Sequence, residues 1–140
     1  MRWILCLTML VSLGFAPAPV YKPGKDSRSD LEKLQGTWQS TSCRFEGRTI
    51  EMVVTWKIRE NSLDILHKNG AMGCDFRIDT GRRQKTLYLL TFGKSYPANY
   101  KIEGDTLTVC YDQKSDTTVS AFGVAQKGRV MIVFEKRKER

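Results

Sequence analysis

Apolar and polar residues alternate in short runs from Trp38 almost to the end of the chain. Because successive side chains of a β-strand point to opposite faces, this alternation predicts strands that each bury one face. About nine such runs follow at intervals of roughly ten residues, a spacing typical of β-sandwiches and β-barrels. The runs place these residues on the buried face: Met52, Val54, Trp56, Ile58, Leu63, Ile65, Met72, Cys74, Phe76, Ile78, Tyr96, Ala98, Tyr100, Ile102, Leu107, Val109, Tyr111, Val130, Ile132 and Phe134.

Turn-forming residues separate these runs. Asn69-Gly70 predicts a hairpin most strongly, because both residues tolerate the positive φ angles of a two-residue turn. An up-and-down barrel whose first and last strands pair antiparallel needs an even number of strands. Residues 117–123 give the weakest strand pattern, so the prediction is about eight main strands and one irregular piece. The other predicted turns are Glu46-Gly47, Glu60-Asn61, Gly81, Gly93, Gly104-Asp105 and Gly128.

A single helical turn is predicted just before the first strand. Ser29 and Glu32 have the spacing of a capping box, in which each side chain bonds the backbone N–H of the other residue. Gly36 ends the turn, because glycine adopts the left-handed conformation common at helix ends. Trp38 follows at once, so a short helix and a large aromatic ring are expected to plug one end of a barrel.

Gly36-Thr37-Trp38 resembles the Gly-x-Trp sequence at the start of lipocalins and their relatives. A wider pattern comprises residues 30–38 (DLEKLQGTW), residues 104–111 (GDTLTVCY) and an apolar last strand ending in Lys-Arg. It resembles a family of small exported, lipocalin-like domains that is abundant in planctomycete bacteria. The resemblance covers about residues 30–137 and implies an all-β, antiparallel, lipocalin-like (calycin-like) up-and-down barrel. It supplies no activity, since that family has no established function.

The resemblance also implies a barrel-closure site made by Gly36, Trp38 and Arg137, since lipocalin-like proteins often stack a basic side chain on this tryptophan. In an antiparallel arrangement the last strand ends where the first begins, which places Arg137 near Trp38 and Arg129 at the opposite rim. A cation over an indole ring contributes roughly 0.5–2 kcal/mol. The alternative is that Arg137 extends into solvent with the tail.

The N-terminal region predicts export. Residues 1–18 have the layout of a secretory signal peptide, with one Arg, an apolar run and a small-residue end. The apolar run is too short for an ordinary membrane-spanning helix, so no transmembrane segment is expected after cleavage. The alternative is a buried N-terminal helix. Residues 19–29 predict a flexible linker, residues 30–137 one barrel domain, and residues 138–140 a basic tail. The expected location is periplasmic, in the cell envelope or extracellular.

The net charge of +8 favours anionic partners in general. The basic residues are spread through strands and turns, however, and the aromatic residues that might stack bases fall in the core phase, so no specific nucleic-acid binding is expected. Cys43, Cys74 and Cys110 remain after export, an odd number. The first and last of these are predicted two strands apart, roughly 9–10 Å, whereas a disulfide needs Cα atoms within about 7 Å. Three mostly buried thiols without a disulfide are therefore predicted.

The sequence does not contain the residue sets of common catalytic or metal sites. His67 is the only histidine and lies in a strand near a turn, where a surface role is usual. Asp75 and Asp79 share a strand face that points to solvent, and the cysteines are scattered, so no metal ligand set is predicted. These observations predict a protein that is not an enzyme and that carries no cofactor.

Two functions remain open. The first is binding of one small, largely apolar molecule in a pocket lined by Trp56, Phe76, Tyr96 and Tyr100, with a volume below about 300 Å³. The second is a non-catalytic structural or interaction module of the cell envelope with a filled core. Related barrels hold fatty-acid carboxylates through an Arg-x-Tyr pair in the last strand; residues 132–136 (IVFEK) lack it, which disfavours a fatty acid. No oligomeric state is predicted.

Overall fold

The computed structural model describes residues 25–113 and 127–138 of the chain. The predicted signal peptide and the weak strand pattern at 117–123 lie outside the described residues. The elements are α1 (Lys25–Leu34), β1 (Gly36–Phe45), β2 (Arg48–Ile50), β3 (Val54–Arg59), β4 (Ser62–His67), β5 (Gly70–Asp79), β6 (Thr86–Thr91), β7 (Lys94–Glu103), β8 (Thr106–Asp112) and β9 (Arg129–Lys136).

The strands form a closed antiparallel barrel of eight strands, which confirms the predicted fold class. From β3 to β9 each strand pairs with the next along the chain. The barrel closes because β1 pairs with β3 on one side and with β9 on the other, from Trp38↔Lys136 to Phe45↔Val130. Among the described strands, the short β2 pairs with the end of β1 alone.

The wall bends where β1 passes from β3 to β2. The β1–β9 register shifts between Ser40 and Ser42, which marks a bulge. On the other side the Ser40 hydroxyl donates to the carbonyl of Met52 at 3.3 Å and accepts from the N–H of Val54 at 2.8 Å. This side chain therefore takes the place of ladder hydrogen bonds at the break between β2 and β3.

The predicted buried face is largely correct. One core cluster runs through the barrel and contains inward residues of every strand from β3 to β9. Met72 and Tyr96 differ, since both are placed in the inward phase but are about two-fifths exposed. Cys110 differs in the opposite sense: it falls in the outward phase of its strand and is nonetheless fully buried.

Helix α1 is longer than predicted and packs at the end of the barrel where β1 begins. It starts at Lys25, so residues 25–29 are helical and not part of a linker, and Ser29 does not cap it. Tertiary contacts with the barrel, and not a capping box, hold this helix in place. The Ser27 and Thr80 hydroxyls share a hydrogen bond of 2.7 Å, and Asp30 is almost fully buried against the barrel.

The predicted hairpins form, with one correction. His67 pairs with Gly70, so Lys68 and Asn69 occupy the turn between β4 and β5, and Asn69 has no positive φ. The turn therefore lies one residue earlier than the Asn-Gly pattern predicts. Gly104, in contrast, has the positive φ expected at its predicted turn.

The prediction for the cysteines is confirmed. Cys43, Cys74 and Cys110 are all buried thiols and none forms a disulfide. Burial raises the pKa of the Cys43 thiol. Burial also raises the pKa of Cys74, with a smaller contribution from the nearby carboxylates of Asp75 and Asp64. These thiols therefore stay protonated at neutral pH.

Candidate functional site

The two ends of the barrel differ. At the closed end, α1 lies against the strands, and Trp38 donates its indole N–H to the carbonyl of Leu34 at 2.7 Å. Tyr100 directs its hydroxyl to Asp30 of the helix. At the other end the interior opens into a cavity of about 580 Å³. Its lining is Met52, Val54, Trp56, Ile65, His67, Met72, Leu89, Thr91, Phe92, Tyr96, Pro97, Ala98, Val109, Tyr111, Asp112, Gln113 and Ile132.

Apolar side chains form the deep wall of this cavity. Trp56 is buried and packs on Phe134, with ring centroids 4.8 Å apart. Ala98, on β7, also lines the cavity and is a small residue on a strand that otherwise carries large inward side chains. Its methyl group leaves space that a larger inward side chain would fill.

The predicted pocket needs two corrections. Trp56 and Tyr96 line the cavity, whereas Phe76 and Tyr100 are buried outside its lining. The volume is also about twice the predicted limit of roughly 300 Å³. Tyr100 turns towards the helix to bond Asp30, so its ring fills the closed half of the barrel and not the open half.

Polar groups gather near the mouth of the cavity. His67 accepts a hydrogen bond at Nδ1 from the N–H of Asn69 at 3.3 Å, so the neutral ring carries its proton on Nε2 and can donate it. Burial raises the pKa of Tyr111, with a further contribution from Cys43, so its phenol also remains a donor. Asp112 supplies a carboxylate to the lining, and none of the lining residues is Lys or Arg.

Sequence reasoning missed the contribution of β6 and the turn that follows it. Leu89 and Thr91 alternate inward with Leu87, and this pattern was readable from the sequence. Phe92 was also readable as an unusual residue, because it precedes Gly93 at the place where Asn or Asp is normal in a two-residue hairpin. Phe92 is 92% exposed.

At the predicted closure site the cation over Trp38 belongs to Lys136 and not to Arg137. The Nζ of Lys136 lies 5.3 Å from the ring centroid of Trp38, and it donates to the carbonyl of Lys33 at 3.1 Å. Arg137 is exposed, and only its backbone approaches, donating to the carbonyl of Thr37 at 2.8 Å. The reason is register, since Trp38 pairs with Lys136 directly and paired residues share a face.

Gly36 belongs to this site for a steric reason. Its φ is +113°, and a Cβ atom there would lie 3.1 Å from Cε of Lys136. The glycine therefore leaves room for the lysine stem. Arg129 lies at the opposite end of β9, as predicted, and is 6% exposed.

A second hollow, of about 600 Å³, lies beside the break between β2 and β3. Its lining combines serines and threonines with apolar residues and with the charged Glu51 and Lys68, and Met52 belongs to the linings of both hollows. It has no aromatic residue in its lining. We therefore take the open-end cavity as the candidate site.

Comparisons with other proteins add no assignment. No protein-family model, curated protein or solved structure matches this chain. Within residues 25–113 and 127–138, no three or more His, Cys, Asp or Glu residues are grouped in a way that could hold a metal ion. Over the same ranges no helix has both the length and the apolar character needed to cross a bilayer.

Proposed function

We propose that the barrel binds one small, largely apolar molecule in its open-end cavity. The observation that carries the proposal is a cavity of about 580 Å³ with an apolar wall and a few polar groups at its mouth. Ligand pockets typically measure about 300–1,000 Å³ and combine a mostly apolar lining with a small number of oriented polar groups. The cavity has both properties.

The rival function is a structural module with a filled barrel. Protein interiors are normally packed as densely as organic crystals, and a barrel of eight strands is just narrow enough for side chains to fill. The closed half follows this rule. The open half does not, and it leaves Met72 and Tyr96 partly exposed around the opening. A ligand that covers such side chains gains about 25 cal/mol for each Å² of apolar surface removed from water.

The polar lining favours a ligand whose polar end is neutral. His67 and Tyr111 offer donors, while the lining holds no basic side chain to neutralise a carboxylate. An anionic head group would have to lose hydration in a lining without a basic side chain, which is unfavourable. An alcohol, amide or ketone on an apolar body fits this set better than a fatty acid does.

We also propose that the protein is exported and non-catalytic. The signal-peptide layout of residues 1–18 supports export. Raised pKa values keep Cys43 and Cys74 protonated and therefore weakly nucleophilic at neutral pH, which supports a non-catalytic role. The mass of the mature protein recovered from a cell fraction of its own host tests export, since an intact N-terminus in the cytosolic fraction would contradict it.

Titration with the neutral fluorescent probe N-phenyl-1-naphthylamine tests the binding site. We expect saturable binding of one probe per chain, because the probe gains emission in an apolar site. Ala98→Leu places a branched side chain in the cavity and should weaken binding at least about tenfold, a change of about 1.4 kcal/mol. Ala71→Leu is the matched control, since Ala71 is exposed and lies outside the lining.

Leu89→Trp serves as a second blocking variant on another strand of the lining, and circular dichroism verifies the fold of each variant. If the folded wild type does not saturate, or if Ala98→Leu and Leu89→Trp bind like Ala71→Leu, the ligand-binding proposal is wrong. The filled envelope module then becomes the better explanation. Native mass spectrometry of protein purified from its own host identifies the ligand by its added mass.

A further inference from the structure

The mouth of the cavity carries three large side chains that water reaches. Phe92 is 92% exposed, Met72 42% and Tyr96 40%, and all three belong to the cavity lining. We call these three residues, together with the exposed Lys68 and Lys94, the mouth patch. Exposed apolar clusters of this kind mark surfaces that contact a protein or a membrane.

The backbone at Phe92 argues that its side chain is there for contact. Thr91 pairs with Lys94, so Phe92 and Gly93 are the two residues of a tight turn. Their φ angles are +49° and +71°, as in a type I′ turn. Asn or Asp is the usual first residue there, and a bulky side chain with positive φ is an outlier. Neither turn geometry nor packing explains this phenylalanine.

The surroundings of Phe92 are basic. Lys94 follows its turn, and Lys68 lies in the turn between β4 and β5. His67 of one tip and Phe92 of the other line the same cavity, so both hairpin tips border its mouth. Residues 67–70 and 91–94, which make up the two tips, include no acidic residue. An exposed apolar side chain on a rim that also carries these two cations matches a surface with negative charge outside and apolar material beneath.

We propose that the mouth patch docks on a lipid bilayer that carries anionic head groups. Phe92 enters the interfacial layer, while Lys68 and Lys94 contact the head groups. A stable protein–protein interface usually covers about 800 Å² on each partner, more than three side chains at a rim provide. A bilayer yields to single side chains and has no such requirement.

Docking in this orientation turns the cavity mouth towards the lipid. An apolar ligand then passes between membrane and barrel without crossing water, and this second step rests on the proposed function. The β5–β6 pairing supports this route. β5 pairs with β6 only from Asp75 onwards, so residues 70–74, which include Met72, have no β6 partner beside the Phe92 turn. The gap opens the wall at the patch.

Sedimentation with vesicles tests docking without any ligand. The full chain should bind vesicles of phosphatidylcholine with phosphatidylglycerol and bind poorly to phosphatidylcholine alone. Phe92→Asn should weaken binding at least about tenfold through loss of the buried ring, although Asn suits the turn and should not lower the melting temperature. Phe92→Trp is the matched control; it should retain binding and shift its emission to the blue on vesicles.

A second pair of variants separates local charge from total charge. Lys68→Gln with Lys94→Gln should weaken binding by about fivefold for each lysine. Arg59→Gln with Lys138→Gln removes the same charge from exposed positions at the closed end and should have a much smaller effect. Neither lysine of the patch lines the cavity, so the first pair should bind N-phenyl-1-naphthylamine as the wild type does.

The outcomes distinguish the two proposals. Docking is wrong if folded wild type ignores anionic vesicles, if Phe92→Asn binds as tightly, or if both charge pairs lose binding equally. A dimer that dissociates in Phe92→Asn without any vesicle binding would assign the patch to a second copy and overturn membrane docking. Vesicle binding without probe binding would keep docking, while the proposed function and the transfer step fall together.

Discussion

The hydroxyl of Tyr100 donates a 2.9 Å hydrogen bond to the carboxylate of Asp30, a residue 70 positions earlier in the chain. Lys85 contacts the same carboxylate at 2.8 Å. Asp30 is 3% exposed, so these partners compensate for the loss of water around its charge. The bond ties α1 to β7 and holds the Tyr100 hydroxyl at the closed end, outside the cavity lining.

Tyr100→Phe should therefore lower the free energy of unfolding by about 1–3 kcal/mol, because a buried carboxylate loses a donor. Urea unfolding followed by fluorescence measures the change. Tyr88→Phe is the control, since Tyr88 is half-buried and packs its ring against Arg77. Its loss should stay within about 0.5 kcal/mol, the usual range for surface substitutions. Equal losses in the two variants would contradict the role assigned to the Asp30 bond.

Ala98→Leu tests the cavity through stability alone. In a filled core the added carbons would destabilise the fold by about 1–3 kcal/mol. In the open cavity they occupy free space, so we expect a change within about 0.5 kcal/mol, or a gain from added burial. Urea unfolding distinguishes the two cases without any ligand. A loss in the larger range would mean that the space beside Ala98 is closed in solution.

The buried thiols predict how stability depends on pH. Burial raises the pKa of Cys43 and Cys74 above the ordinary value of 9.0, so the folded state holds these protons more tightly than the unfolded state. The stabilisation is complete below pH 9.0 and is lost as the pH rises through the folded-state values. Urea unfolding should show stability falling above pH 9, by up to about 1.4 kcal/mol per pH unit for each thiol.

The matched variant for this prediction is Cys43→Ala with Cys74→Ala. It should show a flatter dependence between pH 9 and pH 10, even if its stability at pH 7 is lower. A slope as steep as that of the wild type would assign the alkaline loss to other groups. Reaction of the native wild type with a thiol reagent at pH 8 should also be slow and become complete on unfolding, since the thiols are buried.

Lys136→Met tests the closure site. Methionine keeps an apolar stem beside Gly36 and removes both the cation over Trp38 and the donor to the Lys33 carbonyl. We expect a loss of about 1 kcal/mol in the free energy of unfolding. Arg137→Met should change it by less than about 0.5 kcal/mol, since that side chain is exposed. The reverse order of the two losses would favour Arg137 as the stacking residue in solution.

Strand alternation was enough to predict the barrel, because a period of two is a local property of the sequence. The same pattern predicted that Trp56 points inward, and Trp56 lines the cavity. It could not say whether Arg137 or Lys136 meets Trp38, because that choice depends on a register between strands nearly a hundred residues apart. A shift of one residue exchanges the two faces.

The cavity was harder to predict than the wall. The alternation predicts that a side chain points inward, but not towards which end of the barrel it leans. Tyr100 leans towards Asp30 because its hydroxyl donates a hydrogen bond to that residue of the distant helix. The extra length of α1 has a similar origin. Ser27 and Thr80 are 53 positions apart, so their hydrogen bond leaves no mark on the local pattern around residues 25–29.

The pairing of β1 with β9 also governs the order of events in folding. β1 pairs with β2 and β3 nearby in the chain but with β9 only across a long separation, as in the bond from Thr41 to Val133, 92 positions apart. Contacts between such distant segments slow folding, since a long loop must be ordered before they form. The barrel therefore cannot close before β9 is available to pair with β1, which makes closure a late step in folding.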